Sequence, residues 1–379
     1  MSAGPCGDCL RRSWLLARLG GHIERRHVER DPLRGVLALP DADLIEALAG
    51  SRAGPLRRAW SGFDAAAARV EIGEAGLRAA CPHGGGLAYP AALRRLPDAP
   101  AVIHLAGDAA AVEALDEGAG ASAPGPESPG VAIVGARRAS PYGLAVARSL
   151  GRGVAAAGLP VISGMALGAD SAAHEGALAA GGATVAVLAG GAERPYPASK
   201  RALHRRILAS GGAALSEMPP GTVVRRWAFP ARNRLIAALA AVTVVVEAAE
   251  RSGSLITADF ADDLGRAVAA VPGRVTSPLS AGTNALLRDG AALVRDARDV
   301  LDLACGPAGP PASARTGPVA IAVPAALRAL RDELASGRDT VAALVGAGRP
   351  LEDVLDGLAE LELLGAVTRA AGGRYVPAG

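Results

Sequence analysis

Between residues 131 and 273, short apolar runs alternate with stretches of helical periodicity. The runs are VAIVG (131–135), LPVISG (159–164), TVAVLAG (184–190), VTVVVEA (242–248) and AVAAVPG (267–273). None of them alternates apolar with polar positions. Each therefore predicts a strand buried on both faces, the mark of a parallel sheet covered by helices on each side. The fold class that follows is α/β, a Rossmann-like doubly wound, mainly parallel sheet. Upstream, residues 10–80 carry helical patterns such as Leu44, Ile45 and Leu48 behind Asp41 as a cap, and then come Tyr89-Pro90 and a short strand over 101–105. Downstream, 319–379 shows two helical stretches and a third from Leu351 to Leu363. A strand over 366–369, a Gly372-Gly373 turn and Arg374-Tyr375-Val376 follow. Three helices and a hairpin are the layout of a winged-helix domain.

Two stretches lack any periodicity, EGAGASAPGPESPG (117–130) and GPAGPPASARTGP (306–318), and both read as linkers. They divide the chain into a helical module plus strand (1–116), the Rossmann-like domain (131–305) and the winged-helix domain (319–379). A chain of 379 residues, half of them hydrophobic, is too long and too apolar to be a disordered tail. It can bury its cores without disulfide staples, so Cys6, Cys9, Cys81 and Cys305 read as reduced thiols. No apolar run reaches the length of a membrane span, and Met1 to Arg12 lacks the apolar stretch of a signal peptide. A cytoplasmic protein with no membrane partner is the expectation.

Charge changes this picture. The formal +3 is unevenly spread: residues 1–130 hold 14 basic and 16 acidic groups, 131–305 hold 19 and 13, and 306–379 hold 7 and 8. Within 137–234 the count is 13 basic against 4 acidic, the footprint of a surface facing phosphate. The third C-terminal helix runs the other way, with Glu352, Asp353, Asp356, Glu360 and Glu362 against Arg349 at its start. Such a helix repels phosphate, so this domain reads as a protein-contact or regulatory element rather than a DNA reader.

Nearly every strand of the central sheet ends in a turn of small or polar residues, and ligands of such sheets bind at the carboxyl ends of the strands. The first turn, GARRASPYG (135–143), opens a helix where backbone N–H groups and the helix dipole favour an anion, and Arg137 adds a full charge. It is not a G-x-G-x-x-G fingerprint, and the second strand ends in Ser163-Gly164 rather than an acid, which argues against a dinucleotide; no Walker A motif exists. The second turn, SGMALGADSAAH (163–174), offers Gly164 and Gly168 for close backbone approach, with Asp170 as a helix cap and His174 packed beside it. The turn EAAERSGSLITA (247–258) presents Ser252, Gly253, Ser254 and Thr257 to a phosphate. The densest segment is RRWAFPARNR (225–234), four arginines with two of the chain's scarce aromatics. Arginine supplies bidentate phosphate contacts, Phe229 or Trp227 a stacking face, and Asn233 an amide for a base edge or the backbone, a combination suited to single strands. The lesser alternative for Phe229 is a core position, and Leu235, Ile236 and Leu239 are either core or interface.

Taken in order and spacing, VAIVGARRASPYG, VISGMALGADSAAHEGAL, TVAVLAGGAERPYP, LSEMPPG, FPARNRLIAALA, VVVEA followed by SGSLITA, AVPG and GTNALLRDGA resemble the DprA/Smf family of DNA-processing proteins, over about residues 83–305, with YPAALRRLPDAPAVIHLAG (89–107) agreeing. The resemblance implies an extended Rossmann fold that binds single-stranded DNA and dimerises. It also implies loading of the RecA recombinase during natural transformation, with single-strand-binding protein displaced or accommodated, and neither catalytic residue nor cofactor. Carried over by motif, the DNA site comprises Arg137, Ser163, Gly164, Gly168, Arg226, Phe229, Arg232, Asn233, Ser252, Gly253 and Ser254. The chain departs from the pattern at Ala136, where Ser is usual, and at Lys200, where Asn or His is common. The first helices resemble the family's variable SAM-like module weakly, and 319–379 its winged-helix domain in layout.

Two competing readings remain. Cys6-x2-Cys9-x12-His22-x4-His27 has the spacing of a Cys2His2 zinc finger, but LRRSWLLARLG (10–20) reads as helix directly after Cys9 and leaves no room for a hairpin, so no metal is expected and the thiols are placed in a disordered tail. The other is an enzyme: Gly-rich turns on such a sheet also resemble nucleotide-processing relatives of the lysine-decarboxylase-like phosphoribohydrolase type, with Glu247 as the carboxylate. Those carry P-G-G-x-G-T-x-x-E, whereas this chain has SGSLITADF and lacks the second acid.

Overall fold

The computed structural model describes residues 4–28, 33–84, 87–115, 130–306, 324–363, 366–370 and 373–377. Apart from Gly130 and Gly306, the two linkers lie outside the described residues, as do Gly365 and Gly372. The chain forms two compact units, Met1–Thr316 and Gly317–Gly379.

The first unit opens with helices α1 (Gly7–Val28), α2 (Leu33–Ala38), α3 (Asp41–Ala49), α4 (Ala53–Ser61) and α5 (Ala65–Glu74). Strand β1 (Arg78–Ala80), helix α6 (Ala91–Arg94), strand β2 (Ile103–Gly107) and helix α7 (Ala110–Glu113) follow. Then strands and helices alternate: β3 (Val131–Val134), α8 (Pro141–Ala156), β4 (Val161–Ser163), α9 (Ala169–Ala179), β5 (Thr184–Val187), α10 (Arg201–Ala209), β6 (Ala213–Ser216), α11 (Ala228–Ala238), β7 (Val242–Val245), α12 (Gly253–Asp263), β8 (Ala267–Ala270), α13 (Ala281–Arg288), β9 (Ala292–Leu293) and α14 (Ala297–Cys305).

These strands form one sheet in the order β1-β2-β6-β5-β4-β3-β7-β8-β9, parallel from β6 to β9 and antiparallel at β1–β2 and β2–β6. The apolar runs behave as their lack of alternation predicts. In β3, Val131 and Ile133 enter one core with α8, α9 and α14, while Ala132 and Val134 enter the other with α11. Leu235, Ile236 and Leu239 are core on that second face, not an interface. One boundary moves. The strand expected over 101–105 is β2, and it joins the main sheet through the β2–β6 ladder together with β1, which falls in the stretch read as helical, so the sheet begins well before the 117–130 stretch.

From β3 the chain winds outward through β4, β5 and β6, then returns to place β7 on the other side of β3. The strand order thus reverses at β3/β7, and the crevice at their carboxyl ends is where a doubly wound sheet takes its ligand.

Helices α1 and α3 bury Leu15, Leu19, Ile23, Leu44 and Ile45 against Trp227, Ala228 and Ala231 of the α11 region. Asp41 does not cap α3; the cap position is Pro40, and the Asp41 carboxylate accepts hydrogen bonds from Arg12 (2.6 Å) and the Trp60 indole (2.9 Å). The second unit has α15 (Ala325–Ala335), α16 (Val341–Gly346), α17 (Leu351–Leu363) and a hairpin of β10 (Val367–Ala370) and β11 (Arg374–Pro377), with its own core of Leu330, Leu334, Leu344, Val354, Leu358, Leu361, Val367 and Tyr375. Among the described residues, no helix is long and apolar enough to cross a membrane.

Candidate nucleic-acid interface

A cleft of about 400 Å³ opens at the β3/β7 switch point. Its walls are the β3 turn (Gly135, Ala136, Arg137), the first two turns of α11 (Phe229, Arg232, Asn233, Ile236) and the start of α12 (Ser252, Gly253, Ser254, Thr257). The spacing of the FPARN stretch explains the α11 wall, because residues three, four and seven positions beyond Phe229 share one helix face. At the mouth, the Arg137 guanidinium lies 4.8 Å from the centre of the Phe229 ring, and Tyr196 packs against the same ring at 5.6 Å, tilted by 53°. Arg137 is exposed and Phe229 half-buried, so the stacked cation and ring face solvent together.

At the base sits Arg232, 5% exposed, donating to the Val187 carbonyl while its Nε has no partner. Burial lowers its pKa to about 10, with Asp170 holding it up and Arg137 pushing it down, so at neutral pH it is a buried cation. Asp170 accepts from the Gly164 amide at 3.1 Å; burial raises its pKa against the pull of Arg232. Asp170 therefore ties down the β4–α9 turn and offsets part of the Arg232 charge, rather than capping α9, whose cap position is Gly168. His174 is packed in the core on Thr184 (2.7 Å), and burial takes its pKa down to about 3.

Ser252 caps α12, accepting from the Ser254 amide, and Asn233 Nδ2 donates to the Gly253 carbonyl at 3.1 Å. Asn233 thus fastens the α12 start to α11. The two glycines of the second turn serve packing. A Cβ on Gly164 would strike the Arg232 guanidinium, and Gly168, at φ 80°, brings the turn against the Ala136 carbonyl.

Several expectations need revision. Ser163 is fully buried and its hydroxyl donates to the Ile133 carbonyl at 2.6 Å, so it does not reach the cleft. Arg226 is exposed but lies outside the cleft wall. Trp227 offers no stacking face: it is 2% exposed, among the leucines of α1 and α3. Arg234 is buried in an ion triad with Asp98 (2.9 Å) and Glu217 (2.7 Å). Nor is the N-terminus of α8 open to an external anion. Glu247 accepts there from the Ser140 amide (2.8 Å) and hydroxyl (2.6 Å), and a Cβ on Gly143 would collide with its carboxylate. The glycine of SPYG makes room for the protein's own anion.

The sequence pattern missed Tyr196, although its scarcity argument applies equally to a tyrosine in ERPYP. It also left α10 unassigned, where Arg201, Arg205 and Arg206 are all exposed. Of the 13 basic residues in 137–234 only Arg232 and Arg234 are buried, while two of the four acids, Asp170 and Glu217, are buried with them. The positive excess therefore remains at the surface.

The family model described as DNA recombination-mediator protein A matches residues 85–304. Protein Smf of Escherichia coli is 34% identical over 293 residues, covering 75% of this chain and 74% of that protein. A DprA from Mycobacterium tuberculosis is 53% identical over 171 residues, which span 45% of this chain and 44% of that relative's length. The crystal structure of DNA processing protein A from Streptococcus pneumoniae superposes with a TM-score of 0.58 at 30% identity, covering 77% of this chain and 95% of that one.

Proposed function

The chain belongs to the DNA recombination-mediator protein A family, and on that footing we propose that it binds single-stranded DNA in the switch-point cleft, as a mediator without catalytic chemistry. The observation that carries this reading is the Arg137–Phe229 stack standing over the buried cation Arg232. Every base has a face that stacks on an aromatic ring, and every nucleotide a phosphate for a guanidinium, so such a site holds a strand without reading its sequence. A duplex, whose bases are already stacked, cannot offer a base to Phe229. The exposed arginines of α10 extend the positive surface beyond the cleft.

Affinity for a labelled oligonucleotide, measured across a salt series, tests the assignment. Log affinity is expected to fall linearly with log salt, by about 0.7 per phosphate neutralised on a single strand. Arg137→Ala and Arg232→Ala should each weaken binding and flatten that slope. If both variants bind as the parent does, the site is elsewhere.

We further propose that the protein acts as a homodimer that loads RecA onto incoming strands during natural transformation, in the cytoplasm, on DNA also bound by single-strand-binding protein. The C-terminal unit, read as a winged helix, would take a protein partner, since Glu352, Asp353, Asp356, Glu360 and Glu362 of α17 are all exposed and repel phosphate. Recombinase filament growth on strands precoated with single-strand-binding protein is the assay. No acceleration would leave a binder but not a loader. Glu247, the carboxylate a phosphoribohydrolase would need, is engaged by Ser140. Incubation with nucleoside monophosphates should accordingly release no free base.

A further inference from the structure

Cys6, Cys9, Cys81 and His83 come together from two places in the chain, with one potential ligand atom from each lying within 4.8 Å of every other. Cys6 immediately precedes α1, Cys9 sits in its first turn, and Cys81 and His83 occupy the turn that leaves β1. Cys9 Sγ is 3.4 Å from His83 Nδ1, and the Cys6 amide donates to Cys81 Sγ at 3.3 Å. Cys9 and Cys81 are buried, Cys6 is half-buried and His83 reaches solvent; all three cysteines are free. The thiols are thus packed into the fold, and no disordered tail contains them.

The zinc-finger spacing noted in the sequence selected the wrong histidines. Cys9 and His22 lie on the same continuous helix, and thirteen residues at 1.5 Å rise separate their backbones by about 20 Å. A tetrahedral ion cannot bridge them. The correct partners come from 72 residues further along the chain than Cys9, where no local spacing rule would look.

We propose that Cys6, Cys9, Cys81 and His83 form a structural Cys3His site for a zinc ion. Zinc favours four-coordinate sites of this composition, with legs of about 2.3 Å to sulfur and 2.0–2.1 Å to nitrogen. A tetrahedron with those legs has edges of roughly 3.5–3.8 Å, which the Cys9–His83 pair already meets and the widest pair reaches by closing in about 1 Å. The surroundings favour closure. A Cβ on Gly84 would lie 2.9 Å from the Gly4 carbonyl, 3.1 Å from Cys81 Sγ and 3.4 Å from Pro5 Cα, so glycine at that position lets the N-terminal segment lie directly over the thiol. With four protein ligands the site is closed, leaving no position for a substrate, as structural zinc sites are. Its physical role is to clip the start of α1 to the edge strand β1. The other end of the same helix packs on Trp227 beside the DNA-site helix α11.

The test uses the full chain, purified under reducing conditions and analysed for metal by mass spectrometry. One zinc per chain is expected. Replacement by Co(II) should produce the visible bands and thiolate-to-metal charge transfer of a tetrahedral sulfur-rich site. Ligand binding to the folded state alone raises stability, so prolonged chelation should lower the melting temperature, and added zinc should restore it. Cys81→Ser should abolish stoichiometric zinc. Because a buried cysteine variant could unfold for other reasons, the exposed His83 provides the second arm: His83→Ala should weaken zinc retention with the fold intact, His83→Cys should retain one zinc, and His22→Ala should leave zinc content unchanged. A folded, metal-free protein whose thiols all react with a thiol reagent and whose cobalt spectrum is that of the hydrated ion would overturn the proposal. So would a disulfide among these cysteines, or zinc lost equally in His22→Ala.

Discussion

Trp227 and Phe229 stand two positions apart in the same arginine-rich segment, and their surroundings are opposite. Successive helical positions turn by about 100°, so residues two apart point to nearly opposite sides. Trp227 enters the core against α1, and Phe229 lies under Arg137 in the cleft. Composition marks both as unusual but carries no information about which way α11 is rotated, and that rotation is fixed by packing that the local sequence does not contain. Arg232 and Arg234 divide in the same way, the first to the cleft and the second to Asp98 and Glu217. The consequence is a separable pair of phenotypes. Phe229→Ala should weaken single-strand binding by about 1–3 kcal/mol, roughly 5- to 150-fold, with little change in the urea midpoint. Trp227→Ala should instead cost about 3–5 kcal/mol of stability, as deletion of a large buried aromatic does. Arg234→Met leaves two buried carboxylates without their cation, and a loss of about 3–5 kcal/mol is expected. Anisotropy titrations and denaturant melts on the three variants distinguish the outcomes; a Trp227→Ala protein with native stability and lost binding would place the indole in the DNA site after all.

At the level of elements, the five apolar runs are strands at the places their patterning indicates, because β-branched residues buried on both faces leave few alternatives. Strand β6 escapes notice, since Ala-Ala-Leu-Ser carries no β-branched residue and becomes a strand only through its neighbours β5 and β2. Strand β9 is two residues long and depends equally on β8. Glycine spacing in the helices was also silent in the pattern, yet it decides how α8 and α9 meet. A Cβ on Gly151 would strike the Ala173 carbonyl, and one on Gly176 the Arg148 carbonyl, so the two helices approach backbone to backbone. Gly176→Ala should force them apart at a cost of about 1–3 kcal/mol, measured as a lower denaturant midpoint. Single-strand affinity of the folded fraction should stay unchanged, because α9 contributes only Asp170 of its first turn to the cleft and neither Gly151 nor Gly176 lines it. Glu247→Gln should likewise lower stability, by about 1.5–3 kcal/mol, through loss of charge-assisted bonds to Ser140 at the start of α8. If the midpoint held and DNA binding fell, the Glu247 carboxylate would have to be reassigned to the interface.

For the whole molecule, near-neutral net charge conceals the segregation on which the proposed single-strand binding depends, and the sequence reveals it once the charge is counted by segment. The burial of titratable groups is what counting misses. His104 and His174 are both fully enclosed, and burial lowers their pKa values to about 4 and about 3. In the unfolded chain each has its ordinary value near 6.5. Between those limits the unfolded state binds more protons than the folded one, so stability must rise with pH across the window; it is fully present above about pH 6.5 and is lost as the pH falls toward 4 and then 3. Asp170, whose carboxyl burial raises, acts in the opposite sense, since the folded state keeps that proton to higher pH. Each histidine contributes on the order of 2 kcal/mol of loss at pH 5. The denaturant midpoint at pH 5 should therefore lie well below that at pH 7. In a His104→Leu, His174→Val double variant the difference between the two pH values should largely vanish, whatever its absolute stability. A double variant with the parent's full pH difference would show that protonation of these two side chains does not drive the acid sensitivity.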